Sequence, residues 1–468
     1  MRFAHISVMP KKYSIPKTRR MPNFDFWAGY IFLVFIGLYV ICFGYFQTKG
    51  FVLTEFSLSA LIIIVPIWVV DGFKVFIESF TKRTYRSSTE DLSKITVVVA
   101  CKDGEDVIEA TIKSLLKRFK PEQVIIASNG SSDNTCYIAG GYDVRVLDVK
   151  QPLGKVRAIN YALRYVKTPY VLLLDDDTLV GNAMMPTGLL EEGYEGVAFR
   201  VLVKTSNWVS KIQSYEYKKS TDIGKRYHNN KASVYNISGA IGLFSLKQLK
   251  RQIKRHSGEF SGEDLQRTLL IHLAQDSKGV VLTNSTVYTQ PPTTIKTLFQ
   301  QRSFGWFPGL YANFINYLRI LTRDYMPLAL RFDAFYNIFL VMLLDIVRLL
   351  TLPILIFYPW YFVITYSVYL LFESISRNKA RVKDPYWIVL IYPLYGLFGF
   401  LTRACAFATF IYRRIVVKIS HKDFLDDYRS SPIPKKLCAI FLSVSVLGVI
   451  LFLNAYYFYI KPFINIKP

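Results

Sequence analysis

Cysteine is scarce in this chain, with five among 468 residues. Cys42, Cys101, Cys136, Cys405 and Cys438 are odd in number and none pair at metal-ligand spacing. That argues against a disulfide scaffold and a structural zinc site, and reduced thiols with a packing role are expected. No internal repeat and no low-complexity segment is present, which leaves out solenoid and fibrous architectures. Gly and Pro are scattered, so no flexible linker divides the chain. Acidic residues are also few, 34 against 58 Lys and Arg, for a net charge of +24.

Uncharged sequence is abundant. Phe26–Phe46 and Leu437–Ile460 carry no charge and are long enough to span a bilayer. Phe56–Val70, Ala334–Leu352, Pro353–Phe372 and Pro385–Tyr412 are also strongly apolar and rich in aromatics. These runs predict a multi-pass membrane protein with a polar insert from about Thr81 to Pro327. A cleaved signal peptide is not expected, because the first run is long and follows about twenty polar, basic residues. A large basic excess can mark nucleic-acid binding, but its placement fits the positive-inside rule better. Lys11, Lys12, Lys17, Arg19 and Arg20 precede the first run. Only Lys49 and Glu55 separate the first two, and Lys82, Arg83 and Arg86 follow the second. The N-terminus and the insert are therefore expected in the cytosol, with the bilayer as a partner and no nucleic acid. Pro385–Tyr412 has basic residues on both sides, so it reads either as a bent re-entrant hairpin or as a true span. Five and six spans both remain open. Asp345 and Arg348 lie one turn apart beside an apolar stretch and read as a simple ion pair or as channel-lining residues.

The insert alternates short β-branched runs with helical spacing. Lys94–Cys101, Gln123–Ala127, Val144–Val149 and Pro169–Leu174 read as strands. Asp106–Arg118, a segment from Asn134, and Gly154–Tyr165 read as helices. Such alternation predicts an α/β domain on a nucleotide-binding, parallel-type sheet. The fourth strand runs into Asp175-Asp176-Asp177, at the mouth where open α/β sheets bind ligands. Side chains alternate along an extended chain, so Asp175 and Asp177 should face one way and Asp176 the other. Two carboxylates on one side suit Mg²⁺ or Mn²⁺, which also takes phosphate oxygens. A solvated acidic loop is the competing reading.

Four further segments carry chemistry. Gly154-Lys155, with Ala158 and Asn160, opens a helix, and a lysine beside free backbone N–H groups suits a diphosphate. Asn236-Ile237-Ser238-Gly239-Ala240-Ile241-Gly242 is rich in small residues that could let backbone approach a ligand, or could be a tight turn. In Ser261-Gly262-Glu263-Asp264 the last carboxylate is either a general base or the N-cap of the following helix. Gln300-Gln301-Arg302-Ser303-Phe304-Gly305-Trp306 offers an aromatic face for stacking on a ligand, or an interfacial anchor on a membrane.

In this order the segments resemble the family 2 glycosyltransferases, and among them the membrane-embedded processive polysaccharide synthases of the hyaluronan, chitin and cellulose type. The resemblance implies a GT-A domain inserted between transmembrane helices. Residues 1–80 would hold the basic N-terminus and two spans, and 81–295 the cytosolic catalytic domain. Residues 296–327 would form interfacial helices with the acceptor motif. Residues 328–468 would form the trailing membrane region, with a cytosolic loop at 413–436. The resemblance implies that Asp175 and Asp177 meet the metal, and that Lys155, Asp175 and Asp176 meet the donor diphosphate. Asp264 would be the catalytic base beside Glu263, and Ser238, Gly239, Gln301, Arg302 and Trp306 would contact the acceptor. Two departures stand out. Gly305 occupies the place of an arginine before the tryptophan, where Arg302 could substitute. Ser128-Asn129-Gly130-Ser131 replaces an acidic base-contacting run, leaving Asn129, with Asp103 in support, to meet the base. The implied activity is inverting polymerisation of a sugar from a nucleotide donor, expected to be UDP-linked, onto a growing glycan that leaves through the protein's own channel. A non-processive transferase acting on a lipid-linked acceptor, and a transporter with a regulatory domain, are the alternatives. The plasma membrane is the expected location.

Overall fold

The computed structural model describes residues 72–343 and 359–411, apart from 83, 84, 87, 150–153, 254, 259–261 and 381. The basic N-terminus, the runs Phe26–Phe46, Phe56–Val70 and Leu437–Ile460, the pair Asp345 and Arg348, and the 413–436 loop lie outside the described residues, as does Ser261.

Ile95–Cys101 (β1), Val124–Asn129 (β2), Arg145–Val149 (β3) and Tyr170–Asp175 (β4) form the strands expected from the β-branched runs. All seven residues of β1 and all six of β2 are buried, as in a sheet covered on both faces. Alternate residues divide between two cores. Val97, Val99, Leu172 and Leu174 pack with Ile112 and Leu115 of the helix Ile108–Leu116. Val98, Ala100, Ile125 and Leu173 pack with Ala158 and Ile159 of the helix Lys155–Ala162. Each fully buried Val, Leu or Ile contributes about 1.5–3 kcal/mol, so these two layers fix the sheet.

Four more strands follow: Thr178–Leu179 (β5), Gly196–Val203 (β6), Ile241–Ser245 (β7) and Val280–Thr289 (β8). The sheet order is β3-β2-β1-β4-β7-β6-β8-β5. The expected parallel-type sheet accounts for β3-β2-β1-β4. Beyond β4 the sheet is mixed, since β7 runs antiparallel to both β4 and β6. Strand direction is not written in a buried apolar run: Ile241–Phe244 is as buried as Val171–Leu174, and the connection alone sets its sense.

Register aligns the strand ends that matter. Ala100 pairs with Asp175, and Cys101 with Ser128, so the carboxyl ends of β1, β2 and β4 share one edge. The antiparallel pair Leu174–Ile241 brings the glycine-bearing segment beside the aspartates. Pairing of Thr178 with Thr289 curls the far end of the sheet back toward them.

Helices Ile295–Gln300, Phe307–Ala312 and Phe314–Thr322 lead away from the sheet. Leu310, Tyr311, Phe314 and Tyr317 share a core with Ile338, Met342, Phe407 and Phe410. Tyr386–Ile411 is one unbroken helix of 26 residues rather than a bent hairpin. Among the described residues, its portion Leu394–Ile411 is the one stretch long and apolar enough to cross a membrane, with mean hydropathy 1.5.

Buried charges join these outer helices to the sheet domain. His228 Nε2 lies 2.6 Å from Asp333, and Lys74 lies 2.7 Å from Glu78 and 3.7 Å from Asp333. Tyr215 donates to fully buried Glu373 at 2.6 Å, Lys219 meets the same carboxylate, and Lys218 meets Asp384 at 2.8 Å. Cys101, Cys136 and Cys405 are free thiols, and burial raises the pKa of Cys101, in keeping with an inert packing role.

Candidate active site

The site is assembled around Lys155. Its helix starts at Gly154, whose φ of +88° is open to glycine and strained for other residues. The Gly154 N–H donates to Asn129 Oδ1 at 2.9 Å, which ties the end of β2 to this turn. Lys155 Nζ then lies 2.6 Å from Asp175 Oδ1 and 2.7 Å from Glu263 Oε1. One ammonium thus joins two acidic motifs 88 residues apart in sequence (263 less 175).

Gly239 forms the floor between them. Its N–H donates to Asp264 Oδ2 at 2.9 Å. A Cβ at Gly239 would sit 3.6 Å from Asp264 Cγ and 3.7 Å from Asp175 Oδ2, so a side chain there would fill the space both carboxylates face. Asp264 is not an N-cap. Gly262, at φ +83°, caps the helix Glu263–His272, and Asp264 turns out to Gly239.

The three aspartates take different partners, the strand ending at Asp175 and a turn carrying Asp176 and Asp177. Asp176 Oδ2 accepts from the Lys102 N–H at 3.4 Å at the end of β1. Asp177 Oδ1 accepts from Thr289 and Thr178. Burial pushes Asp175 up to about 7, helped by the charges of Asp177 and Glu263 and opposed by Lys155. Burial, with the charge of Asp177, also pushes Asp176 up to about 7. Burial raises Asp177, and burial with the Glu263 charge raises Asp264. Glu263 goes the other way: burial disfavours its charge, yet Lys155 and Arg267 outweigh it and hold the carboxyl at about 2.

Hard carboxylate oxygens whose charges repel one another are a donor set that fits Mg²⁺ or Mn²⁺. Asp175 and Asp177 are such a set. Glu78, His228 and Asp333 could also hold a metal ion, with their ligand atoms within 4.8 Å of one another. Lys74 supplies positive charge to that group, as Lys155 does to Asp175, but the group joins helices rather than flanking Gly239. Unfolded aspartates ionise near pH 3.9. Between about 4 and 7 the folded chain therefore holds more protons on Asp175 and Asp176 than the unfolded chain does, and stability falls as pH rises through that window. A cation competes with those protons. The gain in Tm on adding Mn²⁺ is accordingly expected to be larger at pH 8 than at pH 5.5 in the detergent-solubilised protein. An equal gain at both would remove Asp175 and Asp177 as ligands.

The aromatic segment closes the site from the helical side. Gln301–Trp306 is a π-helical turn between Ile295–Gln300 and Phe307–Ala312. The Arg302 guanidinium lies 3.8 Å from the centre of the Trp306 ring and donates to Glu216 at 2.7 Å. Tyr395 donates to the same carboxylate at 3.0 Å. Trp306 keeps 38% of its surface exposed, and its carbonyl lies 3.3 Å from where a Cβ of Gly262 would be. The Trp306 backbone is therefore held next to the start of the helix Glu263–His272. Gln301 Oε1 is buried without a hydrogen-bond partner among the described residues.

Asp175, Asp177, Lys155, Glu263, Asp264 and Gly239 come together, and Ser238 joins them through its neighbour. Asn129 and Asp103 sit at the expected strand ends, but with oxygens engaged: Asn129 on Gly154, and Asp103 on the Ser132 N–H and hydroxyl. Glu216, Tyr217 and Lys225 were not legible as site residues. Tyr217 lies 6.3 Å from Trp306 by ring centres, and its pKa is raised by burial and by the Asp177 and Asp175 charges. The only sequence signal for them is a helical stretch rich in Tyr and Lys, which says nothing of where it packs.

Known proteins resemble parts of this chain. Residues 96–249 match the family described as Glycosyl transferase family 2. Poly-beta-1,6-N-acetyl-D-glucosamine synthase of Staphylococcus epidermidis is 25% identical over 253 residues, which are 52% of this chain and 59% of that protein. The Staphylococcus aureus protein of the same name is 29% identical over 168 residues, covering 34% of this chain and 40% of its own. The matches thus leave two-fifths or more of those relatives uncovered. A mannosyltransferase from Pyrobaculum calidifontis, solved with GDP-Man and Mn²⁺, shares the fold with a TM-score of 0.50 at 12% identity, over 78% of this chain and all of that one. The fold is of the GT-A type with a curled, mixed sheet, and residues 96–249 match the family 2 glycosyltransferase model.

Proposed function

We propose that this enzyme builds a β-linked polysaccharide from a cytosolic UDP-sugar, with UDP-N-acetylglucosamine the first donor to test. The observation that carries the reading is the convergence of Asp264 and Asp175, the latter paired with Lys155, on Gly239. The acceptor hydroxyl oxygen attacks the anomeric carbon as the bond to the diphosphate breaks, and the diphosphate leaves with the electron pair. Asp264 takes the hydroxyl proton, and the configuration inverts. A divalent cation held by Asp175 and Asp177 would offset the charge growing on the leaving group. Lys155 holds Asp175 and Glu263 in register for that binding. Trp306, fixed by Arg302, offers an aromatic face to the growing chain.

Polymerisation is supported by the names of the staphylococcal relatives. We place the catalytic domain in the cytosol, between membrane-spanning segments of the plasma membrane, with export through a channel those segments form. The basic flanks and the apolar helix Leu394–Ile411 support that placement. So do the exposed apolar side chains of Leu328, Phe332, Ile364, Leu371, Leu390 and Leu394. The decisive experiment is UDP release by the detergent-solubilised protein from single UDP-sugars and pairs of them with Mn²⁺, followed by sizing of the product. Metal-dependent release with a long product is expected. A product extended by one sugar would replace polymerisation with single transfer, and no release from any nucleotide sugar would remove the reading.

A further inference from the structure

Lys225 ends the π-helical turn Ser220–Lys225 and is 8% exposed. Such turns gather at functional sites. Its Nζ donates to Ser238 Oγ at 2.7 Å. The part-buried lysines on the preceding helix are ion-paired, Lys218 with Asp384 and Lys219 with Glu373. Lys225 has no carboxylate in ion-pair range among the described residues. An ammonium carries three donors, and Ser238 takes one. A buried charge with unused donors is costly unless something else meets them. Ser238 and Gly239 are neighbours: the first holds Lys225, and the second holds Asp264. The ammonium therefore stands one residue from the base, and Asp264 is the charge that favours its protonated form.

We propose that Lys225 positions the acceptor glycan, its ammonium donating to an acceptor oxygen beside the reacting hydroxyl so that this hydroxyl faces Asp264. The inference rests on the transferase reading above. Burial lowers the ammonium only to about 8, so it stays charged at neutral pH. A hydrogen bond from a charged donor contributes about 1.5–3 kcal/mol, roughly a tenfold or greater effect on binding.

The test uses the full-length protein with UDP-N-acetylglucosamine and a β-1,6-linked N-acetylglucosamine pentasaccharide as acceptor probe. In Lys225→Met the pentasaccharide KM is expected to rise about tenfold or more, with the UDP-sugar KM within about twofold. Lys225→Arg, which keeps the charge, is expected to recover most of that rise. If Lys225→Met loses UDP binding through misfolding, Lys225→Gln provides the neutral comparison. An unchanged pentasaccharide KM, or donor and acceptor KM rising together, would overturn the proposal. Absence of nucleotide release by the unaltered protein would instead sink the transferase reading beneath it.

Discussion

Asp264→Asn is expected to lower kcat for sugar transfer by about 10²–10⁴-fold, with UDP affinity within about threefold of the unaltered protein. The amide keeps the shape of the carboxylate, and its oxygen can still accept the Gly239 N–H. What is lost is the capacity to take a proton. The neighbouring carboxylate cannot substitute. Lys155 and Arg267 hold Glu263 at about 2, which makes it a weak base, whereas burial and the Glu263 charge lift Asp264 and make it a better one. Nucleotide-release kinetics and UDP calorimetry on the same preparation check both halves. A kcat within tenfold of the unaltered enzyme would move the base elsewhere.

Lys155→Met is expected to damage stability and donor binding together. Asp175 and Glu263 would lose the ammonium they share, and Asp177 adds a third negative charge nearby. Removing one partner of a buried pair costs about 3–5 kcal/mol. Lys155 and Asp175 keep 31% and 28% of their side-chain surface, so solvent relieves part of that, and about 2–3 kcal/mol is the expected loss. For a domain of this size that lowers Tm by roughly 4–12 °C. Saturating Mn²⁺ should restore part of the loss, because it supplies positive charge to the same carboxylates. A Tm shift below about 2 °C with an unchanged donor KM would show that the Lys155 contacts carry neither role.

Much of this site is legible in the sequence because its parts are local. The continuous apolar runs that end in Cys101, Asn129 and Asp175 follow from burial on both faces of the sheet. Gly154 and Gly262 mark the helix starts behind Lys155 and Glu263, each with a positive φ. The remainder depends on how distant segments close on one another. Arg302 finds Glu216 across 86 residues, and the sense of β7 is set by the chain between β6 and β7. Asn129 shows the limit most plainly. Its identity suggests a base contact, but its oxygen is taken by Gly154, a backbone partner that no side-chain pattern reveals.

The buried charges at the edges of the sheet domain have a practical consequence. A soluble fragment cut at 81 and 295 would keep His228, Tyr215, Lys218 and Lys219 but discard Glu78, Asp333, Glu373 and Asp384. Each severed pair would leave a polar group without its counterpart on a newly bared apolar surface. The catalytic lobe is thus not a detachable module, and the outer helices form part of its interior. The outer helices also reach the aromatic segment at the site by direct contacts, from Tyr395 through Glu216 and Arg302 to the ring of Trp306.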